Sequence, residues 1–87
     1  MTMTVGGQLD EMAQLVRTLQ TNGNEAQQIR SVIDRTLSST TWTGPAAERF
    51  RDAWHQFSPS LGKLHEALAE AGREVEQRRR ALEQATS

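Results

Sequence analysis

Apolar residues recur along the first half of the chain at alternating steps of three and four: Leu9, Met12, Val16, Leu19, Ala26, Ile33 and Leu37. Gly23 and Arg30 hold the same phase. A helix of 3.6 residues per turn puts such positions on one side, so the pattern predicts an amphipathic helix from about Gly7 to about Leu37. At about 1.5 Å per residue it is roughly 45 Å long. Leu15, Ile29 and Val32 widen the stripe beyond a two-stranded seam, as in a helix bundle. Met1–Gly7 is small and mostly polar, and Gly6-Gly7 predicts a frayed start. Asp10 and Glu11 suit the positive end of the helix dipole. Asn22-Gly23-Asn24 has the composition of a turn. A turn resets the phase, however, and the phase runs through, which favours one helix with Gly23 at a point of close approach.

A second stripe alternates by four and three: Phe50, Trp54, Phe57, Leu61, Leu64, Leu68, Ala71, Val75, Arg78 and Leu82. It predicts a helix from about Pro45 to about Gln84. Pro59 lacks an N–H and crowds the preceding turn, but the unbroken phase from Phe57 to Leu61 predicts a kink, not a loop. Between the stripes, residues 38–44 gather breakers. Ser38, Ser39, Thr40 and Thr41 favour local side-chain bonds over helix continuation. Gly44 opens unusual backbone angles, and Pro45 suits the first turn of a new helix.

The pattern therefore predicts an all-α chain: a single helical-hairpin domain over residues 1–87, with two long antiparallel helices. A lone hairpin covers each stripe from one side only. Ordering each residue costs roughly 1.5 kcal/mol, which half-covered stripes do not offset, so a second hairpin is expected to complete a four-helix bundle.

Composition narrows the function. The chain has 87 residues and a net charge of −1, so no global field favours nucleic acid or an acidic membrane. It has no Cys, which excludes disulfides and Cys-ligated zinc. No apolar run is long enough for stable membrane insertion, and the N-terminus lacks a basic region followed by an apolar one. Export, if it occurs, is expected to use no conventional cleaved signal.

Candidate chemistry is sparse. His65-Glu66 begins like the zinc-protease motif His-Glu-x-x-His, but Ala69 takes the second His position. His55 and His65 lack an i,i+4 spacing, and both are read as solvent-facing. The carboxylates lie on polar faces, often beside Arg, and no nucleophile, base and orienting group assemble. The expectation is a non-enzyme with no cofactor and no metal. Arg78-Arg79-Arg80 has no aromatic stacking platform and has Glu74, Glu76 and Glu83 around it, so nucleic acid is not expected as a partner. Glu74–Arg78 and Glu76–Arg80 are favourable helical pairs.

Trp42 remains. Trp42, Phe50, Trp54 and Phe57 are the only aromatics, gathered around the turn. Trp42 either caps the open end by packing on Phe50 and its neighbours, or stays partly exposed for recognition, its indole offering an apolar face and one polar handle. Physics alone weights these evenly, and one residue can do both.

Trp42-Thr43-Gly44 between two long amphipathic helices, followed by Ala46-Ala47, Phe50 and Trp54, resembles the WXG family over nearly the whole chain. These are the small, early-secretory-antigen-like substrates of bacterial type VII (ESX) secretion. The resemblance implies a helical hairpin, a homo- or heterodimeric four-helix bundle, and export as a folded dimer, from the cytoplasm to the outside or the cell surface. It implies that Trp42 and Gly44 form half of a composite export signal. The other half is a C-terminal Tyr-x-x-x-Asp/Glu motif near the partner's turn, read by the secretion ATPase. This sequence departs there: it has no Tyr, Leu82 fills the aromatic slot of the seam phase, and Thr86 stands where an acid belongs. The expectation is the tail-less subunit of a heterodimer with a second WXG-family hairpin that carries the Tyr motif; a homodimer is the runner-up. A non-secreted coiled-coil adaptor, in which Trp-x-Gly is only turn chemistry, is the competing class.

Overall fold

The computed structural model describes residues 4–86. Met1–Met3, part of the stretch expected to fray, lie outside the described residues, as does Ser87. Two helices make up the rest: α1, Val5–Ser39, and α2, Pro45–Thr86, with no strand among the described residues. They form an antiparallel hairpin of 64 × 22 × 17 Å. α1 runs two residues beyond both of its expected bounds, and α2 two residues beyond its expected end. At the start of α1 this is because Thr4 caps it: its hydroxyl accepts from the Gly7 N–H at 3.0 Å.

Both suspected breaks are helical. Gly23 is buried in the middle of α1, and a Cβ built on it would lie 3.4 Å from the Leu68 Cβ and 3.5 Å from the His65 carbonyl oxygen. Close approach of the helices explains a glycine there. Pro59 sits inside α2 on an exposed position, where water can serve the carbonyl that the ring leaves unpaired.

The α1 side of the seam is the expected row. Val16, Gly23 and Ala26 are buried, and Leu9, Met12, Leu19, Arg30, Ile33 and Leu37 are half-buried. On α2 the seam has a different composition. Trp54 is buried, and Leu61, Leu68, Val75 and Leu82 are half-buried, as the stripe requires. Their companions against α1, however, are Ser58, His65 and Gly72, not the large apolar residues of the stripe. Phe50, Phe57 and Leu64 point outward, with Phe57 55 % and Leu64 46 % exposed. Small residues on the inner row bring the helices close, and two polar ties cross the seam. The Trp54 indole N–H donates to Asp34 Oδ1 at 2.6 Å, and His65 Nδ1 bonds the Gly23 carbonyl at 2.8 Å. His65 is thus not solvent-facing as expected. It is half-buried, because its phase matches Ser58 and Gly72; His55 is exposed.

The hairpin has two unlike flanks. Polar residues of both helices meet on one: Asp34, Ser38, Arg51, His55 and Ser58 line one groove, and Gln20, Asn24 and Arg73 line another. In an antiparallel pair the remaining flanks also meet each other, on the opposite side. That side carries Leu15, Ile29 and Val32 from α1 and Phe50, Phe57 and Leu64 from α2, all exposed.

Candidate functional site

The turn is built by side chains that end one helix and a backbone that starts the next. The hydroxyls of Ser38, Ser39 and Thr40 donate back to carbonyls of α1: Ser38 to Asp34 at 2.9 Å, Ser39 to Thr36 at 3.1 Å and Thr40 to Thr36 at 2.6 Å. Thr40 then turns extended, at φ −89° and ψ 122°, and its N–H closes the helix on the Leu37 carbonyl at 3.3 Å. Gly44 has φ 107°, a region that L side chains rarely adopt, and its carbonyl accepts the first bond of α2 from the Glu48 N–H at 3.1 Å. Nothing lies within 4 Å of a Cβ built there, so the demand for glycine comes from backbone conformation, not space. Pro45 opens α2, and Glu48 puts negative charge in its first turn.

Trp42 sits at this tip. Its ring packs on Phe50 with centroids 5.9 Å apart and an interplanar angle of 50°, and it is still 42 % exposed. The indole rests on the end of the hairpin, as the packing reading expects, and keeps the exposed surface that the recognition reading requires. Of the four aromatics, Trp42 and Phe50 form one pair at the tip. Trp54 and Phe57 form a second pair one to two turns below, with centroids 6.1 Å apart. The buried Trp54 belongs to the seam, and Phe57 to the apolar flank.

Sequence reasoning missed Arg51. Its Nη1 donates to the Trp42 carbonyl at 2.9 Å and its Nη2 to the Thr40 carbonyl at 3.5 Å. An arginine three residues before a seam Trp reads as an ordinary surface charge. Only the return of the chain brings it under the turn.

At the far end of α2 the arginines are partnered. Arg79 bonds Glu76 at 2.6 Å and Glu83 at 3.1 Å, and Arg80 bonds Glu76 at 3.1 Å. Arg78 lies 4.0 Å from Glu74. The hydrogen bond from Arg79, supported by Arg80, lowers the Glu76 carboxyl from 4.5 to about 2, and the same bond raises Arg79. No group of side chains suited to a metal ion occurs among the described residues, and no helix there is long and apolar enough to cross a membrane.

No curated protein and no solved structure gives a significant match. A family model described as "Proteins of 100 residues with WXG" matches residues 2–87. With its Trp42-Thr43-Gly44 turn between two long helices, the chain belongs to WXG100, the family of small type VII secretion substrates.

Proposed function

We propose that this hairpin is exported by a type VII secretion system as half of a folded four-helix bundle. The Trp42–Gly44 turn supplies one half of the signal read by the secretion ATPase. The observation that carries the reading is Trp42 itself, held in place by Phe50 at the tip yet 42 % exposed. An indole buried as a plug offers nothing to a receptor, and an unsupported one has no fixed shape to read. This one has support and surface.

The apolar flank supports the assembly. Leu15, Ile29, Val32, Phe57 and Leu64 lie exposed on one side, and Ile29, Val32 and Ile33 line a shallow depression on α1 suited to a large side chain from another helix. None of the large side chains among the described residues is fully buried, so a hairpin on its own lacks a closed core. The partner is a second WXG-family hairpin, in a heterodimer by preference, and it contributes the Tyr-x-x-x-acid motif. The protein acts outside the cell or at its surface, after assembly in the cytoplasm, and does so by binding, without catalysis or a cofactor.

Secretion by type VII-competent cells tests the reading, with wild type and Trp42→Ala compared in the presence and absence of a partner bearing the Tyr motif. Truncating a fully buried Trp costs about 3–5 kcal/mol, and a half-exposed one much less. Trp42→Ala is therefore expected to leave the purified assembly folded, with a small fall in melting temperature, and to block secretion. Secretion at the wild-type level would remove the recognition role and leave Trp42 as a plug, as in a non-secreted adaptor.

A further inference from the structure

The middle of the turn has almost no backbone support. Among the described residues, the backbone bonds in this segment are that of Thr40 to Leu37 and that of Glu48 to Gly44. Neither touches Thr41, Trp42 or Thr43. The position of the indole therefore depends on what side chains impose on it, and Arg51 and Phe50 impose from two sides.

We infer that Arg51 is the positioning residue of the Trp42 turn: its guanidinium, bonded to the Trp42 and Thr40 carbonyls, fixes the backbone whose indole rests on Phe50. The inference rests on the reading of the turn as a recognition element, and adds to it the group that holds that element in shape.

Chemistry and placement support it. The guanidinium is a planar fork, able to bond two carbonyls at once, which the compact ammonium of lysine does not reproduce. The last turn of α1 contains no basic residue, so Arg51 brings a cation to the carbonyl end of α1 from across the hairpin. Asp34, the carboxylate lining the same groove, is bonded by the Trp54 indole and makes no ion pair with Arg51. Arg51 is half-buried, so its side chain is confined near the turn. Phe50, its neighbour on α2, lies in the same outward row as Phe57 and Leu64. A hairpin docked on that row reaches the residue that carries the indole, so Phe50 links the assembly face to the turn while Arg51 holds the turn from the polar flank.

The test uses the full chain with Trp54 retained, so that Asp34 keeps its partner, and the signal of Trp42 is taken as the difference from Trp42→Phe. Arg51, Arg51→Lys and Arg51→Gln are compared by acrylamide quenching and fluorescence anisotropy, with far-UV circular dichroism and melting beside them. Secretion of the same Arg51 variants and of Trp42→Ala is measured in cells. Both Arg51 variants are expected to raise quenching and lower anisotropy with helicity unchanged, and secretion is expected to fall several-fold. Arg51→Lys keeps the charge, so it is expected to recover melting temperature relative to Arg51→Gln without restoring the ring. A merely structural charge would show the opposite, with full recovery by lysine. Quenching and anisotropy equal to the parent in both variants would overturn the inference. If Arg51→Gln fails to fold, the lysine variant decides alone. Normal secretion of Trp42→Ala would defeat the recognition reading, while quenching still decides whether Arg51 positions the turn. A loosened ring with undiminished secretion, where Trp42→Ala is blocked, would overturn the role of Arg51 and leave that of Trp42 intact.

Discussion

The two flanks of the hairpin solve different problems with the same two helices. Where the seam opens onto the polar flank, side chains find partners inside the chain: the Trp54 indole meets Asp34, and His65 meets the Gly23 carbonyl. No buried side-chain nitrogen or oxygen among the described residues lacks a partner. On the apolar flank, Phe57 and Leu64 stay half exposed beside Ile29 and Val32. A chain built to close on itself would turn its large apolar row inward. This one turns in Ser58, His65 and Gly72 beside Trp54 and keeps Phe50, Phe57 and Leu64 outside. The difference teaches that the intrachain seam sets geometry, through close approach and two polar ties, and leaves exposed the apolar surface that the proposed assembly would bury.

The contrast breaks most visibly at Leu64. In the hairpin alone, Leu64→Asp puts a charge on a half-exposed position at little cost. In a bundle it buries an unpaired charge, costing several kcal/mol, so the variant is expected to lose assembly. Sedimentation of wild type and variant checks this, and equal association would show that the apolar flank is not the interface. The next effect belongs to the seam. Gly23→Leu would drive a side chain into Leu68 and the His65 backbone, only 3.4 and 3.5 Å from a built Cβ. Overpacking of this kind costs about 1–3 kcal/mol, which denaturant melts would detect as a lower midpoint. Trp54→Phe keeps most of the ring and removes the bond to Asp34, so a loss of about 1–2 kcal/mol is expected by the same melts.

The smallest effect is electrostatic. Glu76 titrates at about 2 when folded, below its ordinary 4.5. A carboxyl with a depressed folded value stabilises above its unfolded value and loses that contribution as pH falls toward the folded one. Melting temperature is therefore expected to fall between pH 4.5 and 2 by slightly more in wild type than in Glu76→Gln. Solvent and salt screen these side chains, so the difference is small and shrinks further in high salt. Identical pH profiles would mean that the Glu76–Arg79–Arg80 cluster contributes nothing to the fold.

How much the sequence disclosed follows from what each element hides. The α1 seam was legible because a single apolar stripe maps to a single buried face. Gly23 was legible as a close approach because the phase survived it. On α2 two overlapping rows share Trp54, Leu61, Leu68 and Val75, and apolarity picks out only the row with Phe57 and Leu64. The row facing α1 is carried by Ser58, His65 and Gly72, whose value lies in small size or a single bond, neither of which leaves a hydrophobic signature. His65 was misread for that reason. Trp42 and Gly44 stood out from their residue types. Arg51 did not, because its function depends on the chain folding back nine residues later to place it under the turn.

The most direct measurement is sedimentation of the purified chain, alone and with a candidate partner hairpin, paired with melting across a concentration series. The folded species is expected to have the mass of two hairpins and a melting temperature that rises with concentration, with little folded structure at high dilution. A folded monomer with a sharp, concentration-independent transition would contradict it, because the apolar flank would then need no cover.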